Sequence, residues 1–156
     1  MSQEISEGAP APDFNAACDG GGMFKLSSLK GKNVVLYFYP KDDTPGCTKE
    51  SCEFAQFEQR FSDRNAEIVG VSKDSVARHD NFKSKYNLPF TLVSDEDGAI
   101  CEDYGVWQEK KNYGRTYMGI SRSTFLIDAD GKVAKIWRKV RVTGHVEAVM
   151  TALDEL

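Results

Sequence analysis

Residues 33–39 read Asn33-Val34-Val35-Leu36-Tyr37-Phe38-Tyr39, an apolar and aromatic run with no polar position after the asparagine. A strand with one face in water alternates apolar with polar residues, because successive side chains point to opposite faces. A run without that alternation suits a strand covered on both faces. Such a strand belongs inside a sheet, with other elements packed above and below it.

The rest of the sequence supplies those elements in alternation. Residues 14–18 and 23–26 read as a short hairpin around Gly20-Gly21-Gly22, ahead of the apolar run. Residues 47 to about 64 follow as an amphipathic helix, and Glu67–Ser72, with Ile68-Val69-Gly70-Val71, as a second buried strand. Ser75–Tyr86 carries Val76, His79, Phe82 and Tyr86 at helical spacing and stops near Asn87 and Pro89. Thr91–Ser94 is strand-like and Asp97–Tyr104 a short helix. Ser123–Asp128 and Lys132–Val140 pair as a hairpin through Asp128-Ala129-Asp130-Gly131, whose Asp and Gly content fits a tight turn. A last helix carries Val146, Val149, Met150 and Leu153 on one face. Alternation of strand and helix requires parallel crossovers, and the closing hairpin adds antiparallel edges. The expected fold is α/β, a mixed central sheet flanked by helices with an N-terminal hairpin extension, and its layout resembles the thioredoxin-like architecture.

At 156 residues the chain is expected to fold as one domain, 1–156, large enough to hold a core without disulfide staples. Its net charge of −4 and lack of a basic stripe argue against nucleic acid, since Lys139 and Arg141 form only a short local cluster. The polar, acidic opening has no signal-peptide pattern, and no apolar span is long enough for a membrane. The expected location is the cytoplasm, where stable disulfides are rare and a cysteine is catalytic, metal-binding or inert. Metal binding fails on spacing: Cys18, Cys47, Cys52, Cys101, His79 and His145 form no close pair of ligand pairs. His79, three residues from both Val76 and Phe82, reads as a packed or surface histidine on a half-buried helix face rather than a general base.

Cys47 is different, because it opens the helix that follows the buried strand. Unpaired N–H groups at a helix start favour an anion, and a thiolate is one. At 100° per residue, Phe54, Phe57 and Phe61 fall within about 80° of Cys47, on the core side, while Cys52 lies about 140° round beside Gln56 and Gln59. Two unrelated cysteines would be the plain account; a redox-active pair is the other. In an intact helix, residues five apart have Cα atoms about 8.6 Å apart. A disulfide needs about 7 Å or less. The two sulfurs can therefore bond only if the first turns unwind, which suits a switch better than a structural bridge. A disulfide reductase would instead carry Cys-x-x-Cys.

Pro40, Thr44 and Cys47 stand at the spacing Pro-x-x-x-Thr-x-x-Cys, and Thr44-Pro45-Gly46-Cys47-Thr48-Lys49-Glu50 is followed by Cys52. With Gly8, Ala11-Pro12-Asp13-Phe14, Ser94-Asp95-Glu96-Asp97, Tyr104-Gly105-Val106-Trp107 and Gly119-Ile120-Ser121-Arg122-Ser123-Thr124-Phe125, the chain resembles the peroxiredoxins. Within them it is similar to the bacterioferritin-comigratory-protein, or Q-type, subfamily. The resemblance implies Cys47 as peroxidatic nucleophile, Thr44 as a hydrogen-bond partner of the peroxide, and Arg122 as stabiliser of thiolate and developing oxygen charge. It implies Pro40 as a shield of the sulfur, Glu50 as the group orienting Arg122, and Cys52 as the resolving thiol. It further implies hydroperoxide substrates, thioredoxin or a similar dithiol reductant, a monomer, and no cofactor or metal. The plain alternatives are a helix cap at Thr44, a strand end at Pro40, and an ordinary Arg122–Glu50 surface pair worth under about 1 kcal/mol.

A free thiol of pKa ~8.5 is only about 3% thiolate at pH 7, and one lowered to ~6 about 90%. That is roughly thirty-fold in active species, about 2 kcal/mol of barrier. Lowering the pKa also lowers nucleophilicity, so a dedicated peroxidase needs donors aligned on the O–O bond as well. The expected activity is a thiol-dependent peroxidase that recycles through a Cys47–Cys52 disulfide. A thiol–disulfide oxidoreductase and a non-catalytic redox sensor are the competing readings.

Overall fold

The structure, a computed structural model, describes residues 5–156; residues 1–4, part of the polar opening, lie outside it. In chain order the elements are β1 (Asn15–Ala17), β2 (Met23–Lys25), β3 (Asn33–Phe38), α1 (Pro45–Asp63), β4 (Ala66–Ser72), α2 (Val76–Tyr86), β5 (Thr91–Ser94) and α3 (Ala99–Asp103). They continue with β6 (Trp107–Asn112), β7 (Arg115–Ile120), β8 (Ser123–Ile127), β9 (Val133–Trp137) and α4 (His145–Asp154). Five strands form the central sheet in the order β5-β4-β3-β8-β9. The β3–β4 and β4–β5 pairs are parallel, and β3–β8 and β8–β9 antiparallel.

β3 is the middle strand, which accounts for its unbroken apolar sequence. Val35, Tyr37 and Tyr39 point into one core layer, with Phe54 and Phe61 of α1, Phe82 of α2 and Val146, Val149 and Leu153 of α4. Val34, Leu36 and Phe38 point into the other, with Ile100 and Cys101 of α3 and Leu26 near the N-terminal hairpin. Each large side chain so buried stabilises the fold by about 1.5–3 kcal/mol in transfer free energy. Tyr37 needs a gap in the neighbouring strand: it pairs with Gly70 of β4, where a Cβ would stand 2.9 Å from the tyrosine ring. Its ring packs tilted against Phe54 at 4.7 Å between centroids, tying β3 to α1.

Helix ends follow their sequence signals. Ser75 caps α2 by accepting from the Arg78 N–H at 3.2 Å, and Asn87 ends it in the left-handed conformation. α1 begins with Pro45 at its first position and runs unbroken through both Cys47 and Cys52.

The closing hairpin β8–β9 adds the antiparallel side of the sheet, with β8 beside β3 and β9 outermost. A second hairpin, β6–β7, was not anticipated from the sequence. Its strands carry Glu109, Lys110, Lys111, Arg115 and Thr116, with most positions exposed, so no apolar period marks them. The two-residue turn Tyr113-Gly114 has positive φ at both positions, as a tight hairpin requires. Finally, His79 is wholly buried rather than half-buried. Among the described residues, no helix is long and apolar enough to cross a membrane.

Candidate active site

The antiparallel β3–β8 pair brings distant residues together. Phe38 pairs with Ser123 and Tyr37 with Thr124, so Arg122, just ahead of β8, stands next to the exit of β3. The chain leaves β3 through Tyr39 and Pro40 and enters α1 at Thr44. Cys47 is the third residue of that helix and is 1% exposed. The Val140 N–H donates to the Arg122 carbonyl at 2.9 Å, fixing the arginine's backbone from the far side.

Arg122 makes two contacts at once. Its Nη2 donates to Cys47 Sγ at 3.3 Å and its Nη1 to Glu50 Oε1 at 2.7 Å. Glu50 lies one helical turn from Cys47 and has no exposure, while the arginine side chain keeps 16%. Burial is the largest influence on the Glu50 carboxyl and lifts it to about 7, against the pull of Arg122. Its second oxygen, Oε2, has no hydrogen-bond partner. Burial works against the Arg122 charge, but Glu50 and Cys47 outweigh it and hold the proton more firmly than in free arginine. This is not the exposed surface pair that the plain alternative required.

Thr44 is the residue flanking the helix start, with extended φ and ψ, yet its hydroxyl caps no helix N–H. Its Oγ1 donates back to the Lys41 carbonyl at 2.8 Å, leaving the oxygen lone pairs free. Pro40 is half-buried on the same approach. Cys52 is half-buried on the continuous helix, and burial raises its thiol. The structure thus unites Cys47, Glu50 and Arg122 and keeps Cys52 away from Cys47 by helix geometry. All four cysteines are free, and Cys101, fully enclosed, is pushed strongly up by burial.

Several neighbours of the site were not singled out from sequence. Gly46 gives Arg122 its path: a Cβ there would lie 3.2 Å from Nη2. Gly46, a poor helix former in the first turn of α1, was the available signal. Tyr37 Oη and Ser51 Oγ share a buried 2.8 Å hydrogen bond on the core side of α1. His145 Nε2 bonds Thr124 Oγ1 at 2.8 Å, and burial followed by repulsion from Arg122 brings its imidazole down to about 4, so it is neutral at pH 7. Lys110 of β6 is half-buried, and burial and Arg122 lower its ammonium. Among the described residues one group has metal-ligand character, Asp42, Asp74 and His79. Its oxygens and nitrogens are already engaged by protein partners.

The AhpC/TSA family profile matches residues 8–136. Peroxiredoxin Bcp of Bacillus subtilis is 52% identical over 151 residues, covering 96% of each chain. The chain belongs to this family, in its Bcp-type peroxiredoxin branch. Solved structures agree with the assignment. This peroxiredoxin superimposes on Xylella fastidiosa PrxQ, a cysteine-to-serine mutant, with a TM-score of 0.93 and 37% identity over 99% of this chain and 98% of that one. The Xanthomonas campestris bacterioferritin comigratory protein, described for alkyl peroxide reduction, gives a TM-score of 0.90 and 43% identity over 96% and 98%. The peroxiredoxin is a thiol-dependent peroxidase with a thioredoxin-like fold, and hydroperoxides are its substrates. The sensor and disulfide-reductase readings give way to that assignment.

Proposed function

We propose that Cys47 is the nucleophile and that the chain reduces hydrogen peroxide and alkyl hydroperoxides. The Cys47 thiolate attacks one peroxide oxygen, the O–O bond breaks, and the other oxygen leaves as water or alcohol after taking a proton. Sulfur is oxidised to sulfenic acid. The observation that carries the reading is the guanidinium shared between Cys47 Sγ and Glu50. One cation faces both the sulfur and the space beside it where the leaving oxygen gains charge. Glu50 sets the orientation of that cation, as an ion-paired group with no room to swing. The free lone pairs of Thr44 Oγ1 accept from the peroxide O–H, and Pro40 keeps bulk water off the sulfur.

Cys52 then condenses with the sulfenic acid. A disulfide forms, water leaves, and the first turns of α1 open to allow it. An external dithiol protein of thioredoxin type reduces the disulfide by exchange. The working unit is a single-domain monomer in the cytoplasm, with no metal or cofactor. The test is peroxide consumption coupled to thioredoxin, thioredoxin reductase and NADPH. Cys47→Ser should abolish turnover in a folded protein, because the hydroxyl is isosteric but far less acidic. Retention of most activity in that variant would sink the assignment.

A further inference from the structure

Between Pro40 and Thr44 the chain turns inward, and helix α2 grips it at two consecutive residues. Asp42 is 3% exposed; its Oδ1 accepts from Tyr39 Oη at 2.6 Å, and its Oδ2 faces His79 Nδ1 at 2.6 Å. The Asp42 N–H donates to Asp74 Oδ2 at 2.8 Å. Asp43 has φ of 61°, in the left-handed region that aspartate enters more readily than most non-glycine residues. Its carboxylate accepts from Lys85 Nζ at 2.8 Å and Tyr86 Oη at 2.6 Å.

The histidine contact fixes a proton count. His79 Nε2 lies 2.9 Å from the Val93 carbonyl, which can only accept. Nε2 therefore carries a hydrogen, and the 2.6 Å contact with Asp42 needs a second one. An ionised carboxylate with a neutral imidazole would leave that contact without a hydrogen. The buried pair keeps a proton on the Asp42–His79 contact besides the one given to Val93.

We propose that the Asp42–His79 pair latches the Pro40–Thr44 segment to α2 and β5, which makes His79 a positioning residue for the attack of Cys47 on peroxide. The inference rests on the peroxidase reading above and deepens it. Pro40 and Thr44, the two residues assigned to the peroxide approach, lie at the two ends of this segment. Asp42 is at its middle, so losing the latch shifts both. The groups facing His79 are Asp42 of the segment, Tyr39 beyond β3, and Asp74 before α2, the last paired with Arg78. Burial disfavours the charged imidazole, but Asp42, with Val93 and Asp74, outweighs it and holds the proton above the ordinary histidine range.

The experiment compares wild type, His79→Phe and Asp42→Asn in three measurements: single-turnover oxidation of Cys47 by hydrogen peroxide, alkylation of Cys47 by iodoacetamide, and amide exchange across residues 41–44. His79→Phe should slow oxidation by about tenfold or more, since small misplacements of aligned groups cost that much. Alkylation, which needs no aligned peroxide, should hold or rise, and exchange should quicken. Asp42→Asn should restore oxidation to within about threefold of wild type, because an amide can donate to a neutral His79 and keep the latch closed. Oxidation by His79→Phe near the wild-type rate, or an equal fall in both rates, would overturn the proposal. So would an Asp42→Asn protein that folds and is as slow as His79→Phe. If His79→Phe does not fold, the wild type decides: protection at 41–44, corrected for intrinsic exchange, should fall as pH rises through the histidine's deprotonation and stay level in Asp42→Asn. Protection that is independent of pH in both refutes the latch. A wild-type protein that consumes no peroxide would instead refute the peroxidase reading, and it would show before any variant is compared.

Discussion

Gly46 and Arg122 lie so close that a methyl group on residue 46 would push the guanidinium aside by a few tenths of an ångström. The guanidinium crosses the start of α1 with Nη2 only 3.2 Å from the position of a Cβ on residue 46. Both of its ends are engaged, by Cys47 and by Glu50, so it cannot swing aside without losing a contact. Gly46→Ala should lower kcat/KM for peroxide by about tenfold. The same change should leave thermal stability unchanged or raise it, because alanine is favoured over glycine in a helix by about 1 kcal/mol. Peroxidase kinetics beside a melting curve check both halves.

Glu50 predicts a pH effect on stability. The folded state holds the Glu50 proton to about pH 7, whereas an ordinary carboxyl loses it near 4.5. Its contribution to stability is therefore whole below 4.5 and is lost as pH rises through about 7. Between those limits wild type should lose stability relative to Glu50→Gln, by at most about 3 kcal/mol. Urea unfolding of the two proteins from pH 4.5 to 8 measures the difference. Parallel curves would show that Arg122 fully offsets the burial of Glu50.

Oxidation should open the start of α1. Peptide mapping after peroxide treatment should find a Cys47–Cys52 linkage, with faster amide exchange in residues 44–60 than in the reduced protein. Cys52→Ser should keep the first oxidation and accumulate sulfenic acid that overoxidises. The linkage with unchanged protection would refute the unwinding, and a linkage to another cysteine would remove the resolving role from Cys52.

Cys101 should be dispensable for turnover. It is enclosed between α3 and the sheet, away from the Arg122 cluster. Cys101→Ala should keep the steady-state rate and cost about 1–2 kcal/mol through the small cavity left behind. Loss of recycling in that variant would transfer the resolving role to Cys101.

The sequence made the buried elements legible because burial leaves a pattern. The unbroken run at Val34–Tyr39 announced a central strand, and the spacing of Phe54 and Phe61 from Cys47 announced which face of α1 meets the core. The β6–β7 hairpin left no such pattern, since neither of its faces is covered along most of its length. For the site, Arg122 and Cys47 are 75 positions apart and meet only through the β3–β8 register. Only the likeness to a known family tied them together beforehand. Neither periodicity nor composition carries information about the depth of Glu50, the room at Gly46 or the proton between Asp42 and His79, which are properties of the packed interior.

The Tyr37–Ser51 hydrogen bond sets a clock. In the proposed cycle, α1 must loosen between residues 47 and 52, and this buried 2.8 Å bond ties Ser51 of that stretch to Tyr37 of β3. Opening it leaves the Tyr37 hydroxyl without a partner in an apolar layer, a cost of about 1–3 kcal/mol. In that cycle the sulfenic acid would live about 5- to 160-fold longer if the whole cost falls on the opening rate. During that interval a second peroxide competes with Cys52 for the same sulfur. If Cys52 resolves in this way, the bond would turn peroxide concentration into a choice of fate, recovery at low dose and permanent oxidation at high dose.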